Sequence, residues 1–172
     1  MKIDDSGTIT VRRSITIARS EAELYAVWRD PERLAALLTD VVQVTPAGPG
    51  RTHWSMHAVV GTTEWDAVLV EDDGSRALEW RAVDGSALAN RFRIELAPAP
   101  GNQGTEVTLT LRFVPPGGVL GEALEKLFAV PPDVLIGKML YRFRAYAQTG
   151  EIPTLRYNSA HREYADQPGE QK

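Results

Sequence analysis

The sequence contains no cysteine among its 172 residues. It can therefore form no disulfide, carry no thiol nucleophile and hold no cysteine-ligated zinc ion or iron–sulfur cluster. Positive charge is not in excess either, since 23 acidic residues outnumber 19 basic ones and the formal net charge is -4. Without a basic field to hold a phosphate backbone, nucleic acid is not an expected partner.

Long hydrophobic runs are missing as well, and none approaches the ~18 residues that a membrane-spanning helix needs. The start of the chain carries acids where a secretory signal would carry an apolar stretch. With 43% hydrophobic and 24% charged residues, the composition is that of a soluble globular domain with a substantial core. We therefore expect a cytoplasmic protein with no integral membrane segment, formed by one domain over residues 1–154 and a flexible polar tail over residues 155–172.

The hydrophobic pattern predicts one strand, two short helices and then a series of strands. Residues 9–17 alternate apolar and polar side chains, which is typical of a half-buried strand. Ser20–Glu23 matches a capping box that opens one helix, and Asp30-Pro31 opens a second. Between about 41 and 114, β-branched and aromatic runs alternate with turn signals such as Asp73-Gly74, which predicts six sequential antiparallel strands.

The last periodic segment predicts the element that covers the apolar sheet face. Apolar side chains recur at helical spacing from about Val119 to Gln148, although Pro131 and Pro132 should kink or split this helix and Asp133 restart it. The predicted architecture is an α+β helix-grip fold. In it, a curved seven-stranded antiparallel sheet wraps one long C-terminal helix, and two short helices after the first strand close one end. Such a fold tends to leave a space between sheet and helix.

The order of elements and several local segments resemble a known family. The segments are Val27–Leu34, Arg51–Trp54, Glu64–Ala67, Leu78–Arg81, Gly104–Val107, Pro115–Gly121 and Thr149–Thr154. Together they resemble the bacterial polyketide cyclase/dehydrase branch of the START-like, or SRPBCC, superfamily over residues 8 to about 154. The resemblance implies a helix-grip fold and a ligand cavity between sheet and helix, which polyketide cyclases, coenzyme-Q-binding START proteins and plant allergen-type carriers all use. It transfers no agreed catalytic set to this chain.

The predicted ligand-binding residues combine inward positions of the strands with the apolar face of the helix. The strand residues are Arg13, Trp54, Met56, Trp65, Trp80, Asn90 and Phe92, and the helix residues are Leu124, Phe128, Leu135, Met139 and Phe143. An inward tryptophan is either ordinary core or, with indoles on adjacent strands, a wall for a flat amphipathic ligand. Arg13 lies at a strand bulge or rim, or it anchors an anionic or phenolic head group. Asn90 either opens its strand or forms a hydrogen bond in the cavity.

The candidate metal and acid–base groups are predicted on the opposite, polar face. His53 and His57 are separated by four residues of strand, about 13 Å, which is too far for one ion. Glu64 and Asp66 lie about 7 Å apart, a separation that resembles paired catalytic carboxylates. They alternate with the inward Trp65, however, which favours solvated acids. No metal and no cofactor are predicted.

These observations favour a carrier that binds a hydrophobic or amphipathic small molecule, such as a lipid, a quinone or a polyketide-like aromatic. The alternative is a polyketide cyclase/dehydratase-type enzyme in the same cavity, which needs a positioned base and a donor for the developing enolate. The inward faces offer only Arg13 and Asn90 as polar groups, so no catalytic residue is assigned. A third interpretation is an interaction module that contacts a protein through its charged outer sheet face. That face includes Arg91, Arg93, Glu95, Glu106 and Arg112 and is usually just solvated.

Overall fold

The computed structural model describes residues 1–117 and 126–152. In chain order its elements are β1 (Lys2–Ile3), β2 (Ile9–Ile17), α1 (Glu21–Arg29), α2 (Pro31–Leu38), β3 (Gln43–Pro46), β4 (Arg51–His57), β5 (Thr62–Asp72), β6 (Ala77–Ala82), β7 (Ala89–Pro98), a 3-10 turn (Pro100–Asn102), β8 (Thr105–Val114) and α3 (Pro132–Thr149). No helix in these two ranges is long and apolar enough to cross a bilayer. The predicted domain limit at 154 and the predicted polar tail lie outside the described residues.

The strands form one antiparallel sheet in the order β1-β2-β8-β7-β6-β5-β4-β3. Strands β3 to β8 are the six predicted sequential neighbours, and β2 joins them by pairing with β8. The additional strand β1 pairs with β2 at the edge. A strand of two residues has no alternation to detect, so the pattern did not predict it. Since α3 packs on β2 and β8, the predicted helix-grip α+β fold is confirmed.

Local capping chemistry positions α1 and α2. The Ser20 hydroxyl accepts a hydrogen bond from the Glu23 backbone N–H, and the Glu23 carboxylate accepts one from the Ser20 backbone, which completes the predicted capping box. Asp30 ends α1 and caps α2, with its carboxylate accepting two N–H groups of the first turn of α2. The two helices therefore meet at one residue, and both turn their apolar faces toward the sheet.

The covering helix is interrupted at the proline pair, as predicted. Lys126 and Leu127 are helical, but α3 itself begins at Pro132, where a residue without an N–H group fits the first turn. At the other end, Gly150 adopts a φ of 74° and donates its N–H to the Tyr146 carbonyl, which terminates the helix. The rest of the predicted segment before the prolines, from Val119, lies largely outside the described residues.

The core fills the space between the inner sheet face and the three helices. Trp28 on α1 is fully buried, and its ring meets the Phe143 ring edge-on at a centroid distance of 5.1 Å. Arg142, on the same helix as Phe143, is buried as well. Its Nε donates to the Leu37 carbonyl at 2.8 Å and its Nη1 to Asp40 Oδ2 at 2.9 Å. These bonds fix α3 to the end of α2.

Candidate functional site

A small apolar cavity lies between the inner face of the sheet and the beginning of α3. It is lined by Trp54, Met56, Trp65, Ala67, Trp80, Leu88, Asn90, Phe92, Leu111, Phe128, Leu135, Ile136 and Met139. Its volume is about 30 Å³, which is room for about one water-sized molecule. Most of the space that the fold provides here is therefore occupied by side chains.

The sheet side of the cavity is a continuous aromatic wall. Trp54 on β4 lies directly opposite Trp65 on β5, and their rings stack at an interplanar angle of 13° with centroids 6.0 Å apart. Trp80 on β6 lies opposite Phe92 on β7, with centroids 5.9 Å apart. Phe92 also lies 5.6 Å from Trp54 and so connects the two pairs. Strand register alone thus assembles four aromatic rings into one surface.

Polar groups at the cavity are few. Trp54 Nε1 donates to the Thr52 hydroxyl at 2.8 Å, which satisfies a buried indole N–H. Asn90 Nδ2 donates to the Leu88 carbonyl at 3.0 Å, and among the described residues no donor bonds its Oδ1. In the part of the chain that the structure describes, no histidine, carboxylate, lysine or arginine lines the cavity.

Most of the predicted ligand-binding residues come together at this cavity. They are Trp54, Met56, Trp65, Trp80, Asn90, Phe92, Phe128, Leu135 and Met139. Leu124 lies outside the described residues. Phe143 does not line the cavity, because its side chain is fully buried against Trp28 farther along α3.

Of the positions predicted for Arg13, the strand bulge is wrong, and the side chain does not line the cavity. The register of β2 with β8 is continuous through Arg13, which lies opposite Leu109. The Arg13 side chain is 54% exposed, and its Nη2 lies 3.4 Å from Asp133 Oδ2 in the first turn of α3. Arg13 therefore forms an exposed ion pair between sheet and helix at the position where α3 begins.

Four lining residues are not identified by the sequence pattern. Ala67, Leu88 and Leu111 lie on inward strand faces that the alternation identifies, but their small or aliphatic side chains carry no signal that separates lining from core. Ile136 lies next to the predicted Leu135 on α3. The helical phase restarts at the prolines, so spacing counted across them does not identify Ile136 as a lining residue.

The histidine and acids considered for chemistry lie on the outer sheet face. His53 Nδ1 lies 2.8 Å from Asp66 Oδ1, and the Ser55 hydroxyl donates to Glu64 at 3.5 Å. Both contacts join directly opposed residues of β4 and β5. Within residues 1–117 and 126–152, no group of three or more histidine, aspartate or glutamate side chains is arranged to hold a metal ion.

A separate polar cluster joins α1 to the turn between β5 and β6. The Tyr25 hydroxyl donates to Asp72 and accepts the Gly74 N–H at 2.9 Å, while Arg29 Nε donates to Asp72 at 2.7 Å. Burial, followed by the hydrogen bond to Asp72, raises the pKa of Tyr25 to about 12. The hydrogen bond from Tyr25 in turn lowers the pKa of Asp72. Both groups keep their protonation states near neutral pH, as expected of a structural connection rather than an acid–base pair.

Comparisons with known proteins agree with this architecture. Residues 8–147 match the sequence model of a family described as polyketide cyclase / dehydrase and lipid transport. The chain is similar to DR_A0006 from Deinococcus radiodurans, with 30% identity, a TM-score of 0.66 and coverage of 83% of this chain and 99% of that one. No curated protein matches the chain.

Two more distant structures share the fold. Norcoclaurine synthase from Thalictrum flavum, solved in complex with dopamine and hydroxybenzaldehyde, is 16% identical with a TM-score of 0.57, over 84% of this chain and 88% of that one. Major latex-like protein 151 from Panax ginseng is 11% identical with a TM-score of 0.54, over 82% of this chain and 98% of that one. At these identities the likeness concerns the fold alone.

Proposed function

Since the chain belongs to the polyketide cyclase/dehydrase and lipid transport family, we propose that its cavity binds a flat apolar or amphipathic small molecule. Quinones and polyketide-like aromatics are the ligand classes that suit it best. The observation that carries the proposal is the aromatic wall, in which the ring pairs of four strands form one surface. A planar ligand stacks on such a surface. The Oδ1 of Asn90 would accept one hydrogen bond and so orient the polar end of the ligand.

Binding requires the cavity to widen. A volume of about 30 Å³ is far below the ~300–1,000 Å³ of ordinary ligand pockets. Phe128 and Met139 form the side opposite the aromatic wall. The ion pair of Arg13 with Asp133, which joins the sheet to the first turn of α3, is exposed. Exposed pairs contribute about 1 kcal/mol or less. Displacement of the segment around Phe128 also breaks two backbone hydrogen bonds, from Ala129 to His57 and from Val59 to Lys126. Separation of the paired strands would break a continuous ladder of such bonds, so the helix side is the easier one to move.

A cyclase/dehydratase activity in the same cavity is the second candidate, favoured by the family description. Ring closure of that type needs a base within hydrogen-bond reach of the substrate. The described lining offers one amide and no titratable side chain. The lining therefore favours binding without acid–base catalysis.

Tryptophan fluorescence titration tests the proposal. The purified protein is titrated with quinones, polycyclic aromatics and fatty acids, and native mass spectrometry measures the stoichiometry. We expect saturable one-to-one binding of at least one ring-containing compound, weakened tenfold or more by Met139→Trp, which fills the cavity.

Tyr141→Trp is the matched control, since it adds the same indole to the same helix at a side chain that is 62% exposed. Circular dichroism verifies that both variants fold. The absence of saturable binding across the panel, or an equal loss in the two variants, would contradict the proposal.

A further inference from the structure

A basic depression lies on the outer face of the sheet, on the side away from the aromatic cavity. Its floor is a square of four residues, because Thr10 on β2 lies opposite Arg112 on β8 and Arg12 lies opposite Thr110. Opposed residues of paired strands have their Cβ atoms about 5 Å apart. Two guanidinium groups and two hydroxyls thus alternate around one point of the surface. The depression has a volume of about 580 Å³ and also includes Lys2.

The charges of this square are not compensated as they are elsewhere on the same face. Arg91 pairs with Glu79 at 2.8 Å, and Arg93 pairs with the same glutamate at 3.4 Å and with Glu95 at 3.4 Å. These pairs engage the two acids that line the depression. In the described part of the chain, Lys2, Arg12 and Arg112 form no salt bridge.

The strand register adds to the local excess of positive charge. Arg112 lies directly opposite Arg91 on β7. Lys2 on β1 belongs to the same row across the sheet, with Thr10 on β2 between it and Arg112. Like charges at directly opposed positions destabilise a sheet. The nearby Asp4 lines the adjacent depression that shares Arg112. Its Oδ1 accepts three hydrogen bonds within its own turn, and its charge offsets part of that of Arg112 without forming a salt bridge. Glu79 already offsets the charge of Arg91, and an anion bound over the square would offset the charges of Arg12 and Arg112.

We propose that this square, the residues Thr10, Arg12, Thr110 and Arg112 together with Lys2, binds a phosphate-bearing ligand. Guanidinium groups bind phosphate oxygens in pairs of parallel hydrogen bonds, and threonine hydroxyls donate to the remaining oxygens. The volume of the depression suits a diphosphate or a phosphomonoester head group. The site is separated from the aromatic cavity by the sheet, so it stands independently of the function proposed above.

Isothermal titration with inorganic pyrophosphate tests the site. The titration is run at about 20 mM ionic strength, because salt screens exposed charges. We expect one-to-one binding that Arg12→Gln and Arg112→Gln each weaken about tenfold or more. Arg51→Gln is the matched control. Arg51 is an exposed strand arginine on the same sheet face, and its substitution removes the same net charge. It should change the affinity by no more than about twofold.

A second set of measurements separates the sources of the phosphate. Phosphatidylcholine vesicles with and without phosphatidic acid are sedimented with the protein and its variants. Binding of pyrophosphate supports the site if Arg12→Gln and Arg112→Gln both lose that binding. Binding of vesicles only when they contain phosphatidic acid, lost in the same two variants, also supports the site and assigns the phosphate to a lipid head group. Failure of both probes, or equal losses in Arg51→Gln, overturns the proposal. Binding of a poly-glutamate peptide when both phosphate probes fail also overturns it, in favour of an acidic protein partner.

Discussion

Replacement of Trp80 by alanine measures whether the aromatic wall is packed core or the lining of an open pocket. The Trp80 side chain is only 6% exposed, and its ring lies 5.9 Å from that of Phe92. A buried aromatic side chain removes ~150–250 Å² from water, which at ~25 cal/mol per Å² corresponds to about 4–6 kcal/mol. The adjoining cavity of about 30 Å³ is too small to offset this burial. We therefore expect Trp80→Ala to lower the free energy of unfolding by about 3–5 kcal/mol, as for other buried aromatic truncations.

Urea unfolding followed by far-ultraviolet circular dichroism provides the measurement, because the substitution itself alters tryptophan fluorescence. For a domain of this size each kcal/mol lowers the melting temperature by about 2–4 °C, so the melt should fall by about 6–20 °C. Val60→Ala serves as the control. Its side chain is 84% exposed, and the change should stay within about 0.5 kcal/mol. A loss in the free energy of unfolding below about 1 kcal/mol for Trp80→Ala would refute the conclusion that Trp80 is packed core. It would show that Trp80 faces open space in solution.

Further predictions concern the scaffold around the site. Gly104→Ala should destabilise the fold by about 2 kcal/mol or more in thermal melts, because Gly104 has a φ of +104° and an added Cβ would lie 2.2 Å from a backbone carbonyl oxygen of β2. Gly137→Ala in α3 should stabilise the fold by up to about 1 kcal/mol, because an added Cβ there has no atom within 4 Å. Equal effects of the two substitutions would be inconsistent with this geometry. Because the pKa of Tyr25 is raised to about 12, above its usual value of 10.0, the unfolded chain ionises first and the free energy of unfolding should fall between pH 10 and pH 12. The urea midpoint of Tyr25→Phe should not decrease over this pH range. If it decreases as much as that of the unaltered protein, other groups cause the loss of stability. Asp40→Ala should cost about 1–3 kcal/mol in urea unfolding, because it removes the acidic partner of the buried Arg142 while Asp40 itself is partly exposed. An unchanged free energy of unfolding would mean that water solvates the Arg142 guanidinium group.

Much of the fold could be predicted from the sequence, because the signals that specify it are local. Alternation in residues 9–17 and a cap at Ser20 or Asp30 depend on neighbours within a few residues, and the structure has them where they are expected. The proline pair at 131–132 likewise interrupts the covering helix by removing backbone donors. Strand β1 escaped detection because two residues are too few to show a period.

The inward strand positions at the cavity follow from the sequence, but the size of the cavity does not. The inward positions of Trp54 and Trp80 follow from alternation, since one register places both on the same sheet face. Whether their rings leave space or fill it depends on rotamers and on the placement of Phe128, which no sequence period encodes. The roles of arginines were equally hidden. Arg13 has its acidic partner 120 residues away and Arg142 has its own 102 residues away, so only the tertiary structure pairs them.

The two sides of the cavity differ in what holds them, and on the proposed function this difference decides how a ligand enters. The aromatic wall is fixed by the hydrogen-bonded register of β4 to β7, in which Trp54 and Trp80 have directly opposed aromatic partners. The helix side is held by side-chain packing, such as the edge-on contact of Phe128 with Phe113 at 5.0 Å, and by the exposed pair of Arg13 with Asp133. Two backbone hydrogen bonds to residues at and just after the end of β4 and the buried bonds of Arg142 to the end of α2 add to this. Any free energy spent on opening is subtracted from the apparent affinity, as for a binding-competent state that is only partly populated. The wall is therefore the element that recognises the ligand, and the helix side determines how much of that recognition remains as affinity.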